Sequence, residues 1–326
     1  MSNPQWRSDL LRYIKPDITI CVKQILTSFI PYFVLMLVMV LMLKKGYSYW
    51  IVILFSPLAA LFLVKIFIIL HDCVHRSYLN KSSRACSTLG HICGILTFTA
   101  FFDFEQAHLV HHATVANLEK RGTGDIWTMT VKEYQNASRG KRILYRIFRN
   151  PVFLFGVAPA LKFVLVNRFP KPISGKKELF SILFTDIMIA LLIFVAFVTI
   201  GIKTYIAVQF PVIFIATGIG VWIFYIHHNF EGVYWAHNED WDNFEAGMHG
   251  SVFYKLPAFL RWFTGSIGYH HIHHLNPGIP NYRLVQCHEG IPELWEKRAI
   301  TLWQGFKSMR LTLWNEETHT LDGFSV

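Results

Sequence analysis

Residues 24–70 read QILTSFIPYFVLMLVMVLML-KKGY-SYWIVILFSPLAALFLVKIFIIL, and this stretch decides the fold class. It contains two apolar runs, 24–43 and 48–70, separated by the short polar turn 44–47. A helix rises about 1.5 Å per residue, so twenty residues span about 30 Å, the thickness of a bilayer core. We therefore predict two membrane-spanning helices joined as a hairpin.

A second pair of apolar runs, 179–200 and 204–226, follows the same pattern around a short turn. Of the 326 residues 53% are hydrophobic and only 16% are charged, whereas soluble domains are about 25% charged. The composition therefore excludes an ordinary soluble domain and a disordered chain. We predict an all-α integral membrane protein with four transmembrane helices in two hairpins, forming a single domain over 1–326.

Two polar regions, 71–178 and 227–326, lie between and after the hairpins. Four crossings place both regions and the N-terminus on one side of the membrane. Most of the 31 Lys and Arg residues lie there, whereas the two turns contain only Lys44, Lys45 and Lys203. Because basic residues collect on the cytosolic side of membrane proteins, we predict that both regions form a cytosolic helical cap.

Two shorter apolar stretches, Leu89 to Phe102 and Pro151 to Val166, are interrupted by His91 and Lys162. Both are shorter than a full span, so we interpret them as interfacial or re-entrant helices. We predict that the last dozen residues form a polar tail.

The five cysteines include no CxxC pair, which argues against a disulfide framework and against a thiolate zinc site. The formal net charge of +10 is explained by the membrane topology, so no nucleic-acid partner is expected.

Histidine is the unusual residue of this chain, with 16 copies. Three clusters stand out: His71-Asp72-Cys73-Val74-His75, His108-Leu109-Val110-His111-His112 and His270-His271-Ile272-His273-His274. A further pair, His227-His228, follows the fourth apolar run. Residues three and four apart lie on one face of a helix, so each cluster presents two or three imidazoles together.

A polar helix face would explain any one cluster, but not three clusters and a pair at the cytosolic ends of one bundle. Neutral imidazole binds Fe, Zn, Cu and Ni. Eight or more imidazoles exceed the four ligands of one zinc ion, so the pattern indicates two metal ions. If residues 89–102 do not span the membrane, an even number of crossings separates each pair of clusters, so all clusters can meet on one side. Soluble di-iron bundles use two ExxH motifs, whereas only one of the histidine clusters contains this motif, at Glu105–His108.

The sequence resembles the membrane fatty acid desaturase family, whose mark is one HxxxH or HxxxxH box and two HxxHH boxes. Three longer motifs carry the resemblance: His71-Asp72-Cys73-Val74-His75-Arg76-Ser77; His111-His112-Ala113-Thr114 with Arg121-Gly122-Thr123-Gly124-Asp125-Ile126-Trp127-Thr128 and Glu133-Tyr134; and His270 to His274 followed by Leu275-Asn276-Pro277-Gly278-Ile279-Pro280-Asn281-Tyr282. The third motif is similar to the bacterial, plastid and Δ12-type acyl-lipid branch. The resemblance covers roughly residues 50–290.

The resemblance implies a di-iron enzyme that uses O2 as co-substrate and removes two hydrogens from a fatty acyl chain. It implies that the substrate is an acyl lipid or another acyl compound and that membrane lipids surround the protein. It also implies a separate electron donor, such as a ferredoxin or cytochrome b5. The site would face the cytosol of a multi-pass protein, in a bacterial inner membrane. No catalytic side chain beyond the metal centre is expected.

We expect nine metal ligands: His71, His75, His108, His111, His112, His228, His270, His273 and His274. Related desaturases commonly have Gln-His at the position of His227-His228, so the resemblance assigns the ligand role to His228. A ligating histidine usually donates its other N–H to a carboxylate or carbonyl. The candidates for such contacts are Asp72, Glu231, Asp240 and Asn276.

Three alternatives stay open at this point. A di-iron membrane hydroxylase, or a ketolase of a lipid or carotenoid, would use the same ligands. A zinc or copper transporter is a different class, but its binding site would be expected near the middle of the membrane.

Three polar features inside or beside the predicted helices lack an assigned role. Lys65 and Asp186 lie within predicted spans, where ionisable residues are costly, and a pairing between them is one hypothesis. The basic segment 139–149 is a candidate dock for an acidic electron donor, or a contact with anionic lipid headgroups.

Overall fold

The computed structural model describes residues 5–79, 83–171, 173–296 and 299–324 and is mostly helical. The helices before the second hairpin are α1 (Gln5–Asp9), α2 (Ile18–Lys44), α3 (Tyr49–Ile53), α4 (Ser56–Val74), α5 (Ser83–Leu96), α6 (Phe101–Thr114), α7 (Val131–Asn136), α8 (Arg139–Phe148) and α9 (Ala158–Val164). The later helices are α10 (Lys176–Thr199), α11 (Ile202–His228), α12 (Asn243–His249), α13 (Ala258–Phe263), α14 (His270–Leu275), α15 (Leu284–Gly290) and α16 (Leu302–Ser308).

Short elements complete the cap. The strands are β1 (Met129–Thr130), β2 (Phe253–Lys255), β3 (Ala299–Thr301), β4 (Leu313–Asn315) and β5 (Thr320–Asp322). Single turns of 3-10 helix occupy Leu10–Tyr13, Val166–Arg168, Asn281–Arg283 and Pro292–Glu296, and Phe153–Val157 is π-helical.

Within the described residues, four helices are long and apolar enough to cross a bilayer: α2, α3 with α4 as Tyr49–Val74, α10 and α11. They coincide with the four predicted spans to within a few residues. The prediction of an all-α membrane protein with four such helices is therefore confirmed.

The two shorter apolar stretches belong to bent helix pairs. Arg84–Leu96 and Phe101–Thr114 meet at 101°, and Arg139–Phe148 and Phe153–Arg168 meet at 62°. Such a bend fits either a broken span or a re-entrant segment, and the re-entrant interpretation stays a prediction.

The four long helices differ in burial. In the apolar spans, 56% of Tyr49–Val74 and 39% of α11 is buried inside the protein, compared with 17% of α2 and 17% of α10. On α10, for example, Phe180 is 71% and Ile187 is 66% exposed. Apolar surface of this extent is expected where a helix faces lipid. The inner helices α4 and α11 are also the ones that end in histidines.

Ion pairs hold the bent segments against the bundle. Arg168 binds Asp186 at 2.5 Å and donates to the carbonyl of Phe98 at 2.6 Å. The hypothesis that Asp186 pairs with Lys65 is therefore wrong, because Arg168 occupies the carboxylate. Lys65 instead places its Nζ 2.9 Å from the ring centroid of Trp262.

Two small sheets lie in the cap. β4 pairs in parallel with β1 and antiparallel with β5, and β2 pairs in parallel with β3. The predicted polar tail, residues 315–326, is wrong at β5, which pairs with β4, whereas Glu317, Thr318 and His319 are exposed as expected. Trp314 on β4 and Leu321 on β5 are 1% and 4% exposed, so burial of alternate side chains holds this hairpin in the cap.

The C-terminal segment also binds the rest of the cap through its backbone. Tyr145 donates its hydroxyl to the carbonyl of Thr312, and Arg149 donates to that of Leu311 at 2.6 Å. Tyr225, near the end of α11, also donates to Leu311, at 2.7 Å. The five cysteines are free and buried, in agreement with the expectation that they form no disulfide framework.

Candidate metal centre

Five histidines form one compact group at the C-terminal end of α4. His71 lies in the last turn of α4 and His75 directly follows that helix. The other members come from α6 and α14. The group is His71, His75, His108, His112 and His273, with one nitrogen of each ring within 4.8 Å of the others.

Four more histidines form a second group beside the first. It consists of His111, His228, His270 and His274, again with nitrogens within 4.8 Å of one another. His228 is the last residue of α11. The rings of His112 and His274 stack across the boundary with centroids 4.2 Å apart. The two groups therefore contain all nine histidines that the sequence predicts as ligands.

Each HxxHH box divides between the groups. Residues i and i+4 point about 40° apart on a helix, whereas i+3 and i+4 point about 100° apart. Accordingly, His108 and His112 face the five-histidine group while His111 faces the other. The third box has the reverse arrangement, with His270 and His274 in the four-histidine group and His273 in the five-histidine group.

The spacing of the ring nitrogens suits a shared ion. The Nε2 atom of His112 lies 3.1 Å from that of His108 and 3.0 Å from that of His273. In the other group, Nε2 of His228 lies 3.1 Å from those of His111 and His270. Ligand nitrogens about 2.1 Å from one metal ion, at right angles, lie about 3 Å apart.

Burial keeps these imidazoles in the form that binds metal. It holds the pKa values of His270, His273 and His274 well below the usual value, because a charged ring would lose its hydration. A neutral imidazole has a free lone pair to donate. The Nε2 atom of His75 is likewise buried and has no hydrogen-bond partner within the described residues.

Asp125 orients His111. Its Oδ1 lies 2.6 Å from Nδ1 of His111, and its Oδ2 accepts from the backbone N–H of Gly122. A carboxylate at Nδ1 fixes the proton there and leaves Nε2 free to bind metal. The loop reaches α6 because Gly124 has a φ of +79°, and a Cβ there would lie 2.8 Å from the carbonyl of Ala107.

His228 and His71 have different outer partners. Nδ1 of His228 donates to the carbonyl of Gly250 at 3.0 Å, which again directs Nε2 to the group. Nδ1 of His71 lies 3.3 Å from Asp72. The other oxygen of Asp72 accepts from the backbone and side-chain N–H groups of Asn281, at 2.7 and 2.8 Å.

The other three candidates for outer contacts lie elsewhere. Glu231 and Asp240 are exposed, and Asn276 accepts from the backbone N–H of Gly278. Among the described residues, Asp72 is the one of the four candidates that hydrogen-bonds to a grouped histidine. Asp125 is the partner that the sequence reasoning missed, although it lies within a motif that carried the resemblance. The carbonyl of Gly250 had no sequence signal.

His227 lies beside the centre without joining either group. Its ring stacks on that of His270 with centroids 3.9 Å apart. The remaining histidines of the described residues are likewise outside both groups: His91, His237, His249, His271, His288 and His319.

Comparisons with known proteins place this chain in a family. The sequence model of the family described as fatty acid desaturase matches residues 48–306. A fatty acid desaturase of Bacillus subtilis (strain 168) is 39% identical over 320 residues, which cover 98% of this chain and 90% of that protein.

More distant relatives are desaturases of acyl lipids. The sn-1 oleoyl-lipid 12-desaturase of Synechocystis sp. is 26% identical, over 70% of this chain and 65% of that protein. The sn-1 acyl-lipid omega-3 desaturase (ferredoxin) of the same organism is 22% identical, over 74% and 68% respectively. The family match over most of the chain, together with the Bacillus relative, shows that this protein is a member of the fatty acid desaturase family and a fatty acid desaturase.

Proposed function

We propose that this desaturase holds two iron ions, one in each histidine group, and uses O2 to introduce a double bond into the acyl chain of a membrane glycerolipid. The observation that carries the proposal is the pair of adjoining imidazole groups, which together contain nine histidines.

The donor set fits iron. Imidazole suits Fe(II) as well as Zn, Cu and Ni, and the groups contain no carboxylate among the described residues. Soluble di-iron bundles differ in this respect, since their ligands are largely carboxylates. The choice of iron over zinc rests on the family's redox chemistry, because desaturation requires a metal that changes its oxidation state.

The reaction consumes one O2, two electrons and two protons, and converts –CH2–CH2– into –CH=CH– with release of two water molecules. The iron ions would supply the reduction of O2 and the cleavage of the unactivated C–H bonds, which amino-acid side chains cannot perform alone.

The protein's own residues hold and orient the ligands. Asp125 and the carbonyl of Gly250 fix which nitrogen of His111 and His228 faces the centre. The histidines lie in or directly beside α4, α6, α11 and α14, and most of them are buried, which keeps bulk water away from a reactive site.

The substrate class is inferred from the relatives. Two Synechocystis relatives are named as desaturases of acyl lipids. A protein with four long apolar helices also resides where glycerolipids are available. We therefore propose an acyl chain esterified to a membrane lipid as the substrate.

The electrons would come from a separate protein. The name of one relative specifies ferredoxin, and we propose a ferredoxin or a cytochrome b5 as the donor. The basic segment 139–149 is a weaker dock for it than the sequence indicated. Arg149 is 2% exposed and donates to Trp127, Tyr225 and Leu311, so it is not available to a partner.

We propose that the single domain spanning 1–326 places both termini and the histidine centre on the cytosolic side of a bacterial inner membrane. The bias of Lys and Arg toward the cap supports this orientation. Fusions of a reporter to each terminus test it, and an external signal from the C-terminal fusion would overturn it.

The activity is tested by expression in a host with a simple lipid profile. We expect new double bonds, located by mass spectrometry, together with about two iron ions per chain in the purified protein. Hydroxylated products would favour the hydroxylase instead. Bound zinc or copper with unchanged lipids would favour a transporter.

A further inference from the structure

A cavity of about 370 Å³ lies in the cap between α7, α8 and the loop that contains Asp125. Its walls include Arg121, Ile126, Glu133 and Lys141. This volume is within the range of small-ligand sites. None of the nine grouped histidines lines the cavity, so it is separate from the metal centre.

The cavity carries unused positive charge. Arg121 donates one guanidinium N–H to Glu133, but its Nη1 is buried and has no hydrogen-bond partner within the described residues. The exposed Lys141 adds a second cation, so the two basic residues outnumber the one carboxylate. A buried N–H donor without a partner is costly, and an oxyanion ligand would satisfy it.

The helix that supplies Lys141 resembles a membrane-surface helix. On α8 the apolar residues Ile143, Leu144 and Ile147 are 50%, 58% and 50% exposed. The basic residues Lys141 and Arg142 lie beside them and are also exposed. Apolar and basic residues exposed together on one helix are typical of helices that lie at an anionic bilayer surface.

We propose that this cavity binds the phosphate group of a glycerophospholipid, with Arg121 and Lys141 as the binding cations. The inference rests on the proposed function and names the carrier of the acyl chain: a phospholipid rather than a phosphate-free lipid. The lipid source is favoured over a free phosphate because the cavity adjoins the exposed apolar face of α8.

The site also adjoins the metal centre through the loop. Gly122, another residue of the cavity wall, donates its backbone N–H to Asp125, which contacts His111. Ile126 lines both this cavity and a space of about 10 Å³ beside His228. A headgroup held here would lie against the segment that positions a proposed ligand.

Binding to the purified full-length protein in neutral detergent tests the proposal without turnover. The probes are dihexanoyl-phosphatidylglycerol, glycerol 3-phosphate and dihexanoylglycerol, followed by 31P NMR for the first two and by native mass spectrometry for all three. We expect tightest binding of the phospholipid, and roughly tenfold weaker binding to Arg121→Gln and to Lys141→Gln, because each loses a charge-assisted hydrogen bond.

Two matched variants separate this role from a structural one. Glu133→Gln breaks the same ion pair with Arg121 but keeps both cations and can still cap α7, since glutamine also serves in a capping box. It should bind the phospholipid at least as tightly as the wild type. Arg142→Gln removes a neighbouring charge outside the cavity wall and should change binding less than twofold.

The proposal is overturned if Arg121→Gln and Lys141→Gln bind the phospholipid like the wild type, or if dihexanoylglycerol binds as tightly. Equal binding of glycerol 3-phosphate would assign the cavity to a free phosphate ester instead. Loss of donor-dependent turnover with unchanged lipid binding would assign the surface to the electron donor. Phospholipid binding by a chain that forms no double bond would support the site while removing the proposed function.

Discussion

The two histidine groups are close neighbours but are supported differently. Among the described residues, the five-histidine group has one outer contact with a carboxylate, between Asp72 and His71 at 3.3 Å. The four-histidine group has shorter outer contacts, at 2.6 Å from Asp125 to His111 and 3.0 Å from Gly250 to His228. The group with fewer imidazoles is therefore held more firmly from outside.

This difference predicts that the two groups have different roles. A metal ion held by four ligands has more room for a further small ligand than one held by five, and catalytic metal sites keep such an open position. When a metal ion has fewer ligands, its binding depends more on the orientation of each imidazole, and therefore on the outer contacts that fix that orientation. We expect the four-histidine group to be the more sensitive to changes around it.

The largest expected effect comes from removing a ligand at the boundary between the groups. In His112→Ala, the nitrogen that approaches His108 and His273 is lost, together with the ring stacked on His274. We expect desaturation to fall at least about 100-fold and bound iron to fall to one ion or fewer per chain. His273→Ala should behave similarly.

The matched control for this prediction is His249→Gln, because His249 is exposed on α12 and outside both groups. It should retain iron and activity. Full activity and metal content in His112→Ala would contradict the assignment of a two-metal centre.

The next prediction compares two adjacent histidines of α11. His228→Ala should lose the ion of the four-histidine group and most activity, because Nε2 of His228 lies 3.1 Å from those of His111 and His270. His227→Gln removes only a ring stacked on His270, so most iron and activity should remain. Iron analysis and product yield check both variants, and the opposite ranking would exchange their roles.

The outer carboxylates sharpen the comparison between the groups. Asp125→Asn should weaken metal binding about 10- to 100-fold, because an amide orients His111 less strongly than the carboxylate at 2.6 Å. Asp72→Asn should cost less, since Asp72 lies farther from His71, at 3.3 Å. Titration of the metal-free protein with Fe(II) measures both, and an equal or larger effect of Asp72→Asn would refute the unequal support.

The smallest effect is expected from a histidine outside both groups. The hydrogen bond with Glu119 raises the pKa of His237 above its ordinary 6.5 and lowers that of Glu119 below 4.5. The stabilisation from His237 is complete below pH 6.5 and is lost as the pH rises through its raised pKa. The part from Glu119 is complete above pH 4.5 and is lost as the pH falls through its lowered pKa.

His237→Gln should therefore destabilise the protein most between about pH 4.5 and 6.5, by less than about 1 kcal/mol because the pair is exposed. Thermal unfolding in detergent at pH 5.5 and pH 8.5 measures this difference. A larger loss at pH 8.5 would show that the ion pair is not the cause.

The sequence was sufficient for the helices and for the nine grouped histidines, but not for the division of those histidines between two groups. Long apolar runs have few alternatives to a spanning helix, and i, i+3 and i+4 spacing determines a helix face. The opposite division of the two HxxHH boxes depends on how α6 and α14 approach each other, which is a tertiary property. The same holds for Asp125 and the carbonyl of Gly250, which reach the histidines across loops.

Short strands were the other failure of the sequence reasoning. The prediction of a polar tail over 315–326 missed β5, because β4 and β5 contain only three residues each, too few for a clear alternating pattern. Trp314 and Leu321 are the buried side chains of this hairpin. They pair with each other across the hairpin and also pack in a core with residues distant in the sequence, such as Trp235, so no local pattern predicts their burial.

The C-terminal hairpin has a consequence for the order of events during synthesis. β4 pairs with β1, and Met129 aligns with Leu313, so this part of the cap is completed only after residues 313–322 have been made. The apolar helices can enter the membrane earlier, since each satisfies its own backbone hydrogen bonds. Pairing over such a sequence distance is slow. We therefore expect α4 and α11 of a nascent chain, which carry His71 and His228 near their ends, to be in the membrane before the cap that covers these histidines has closed.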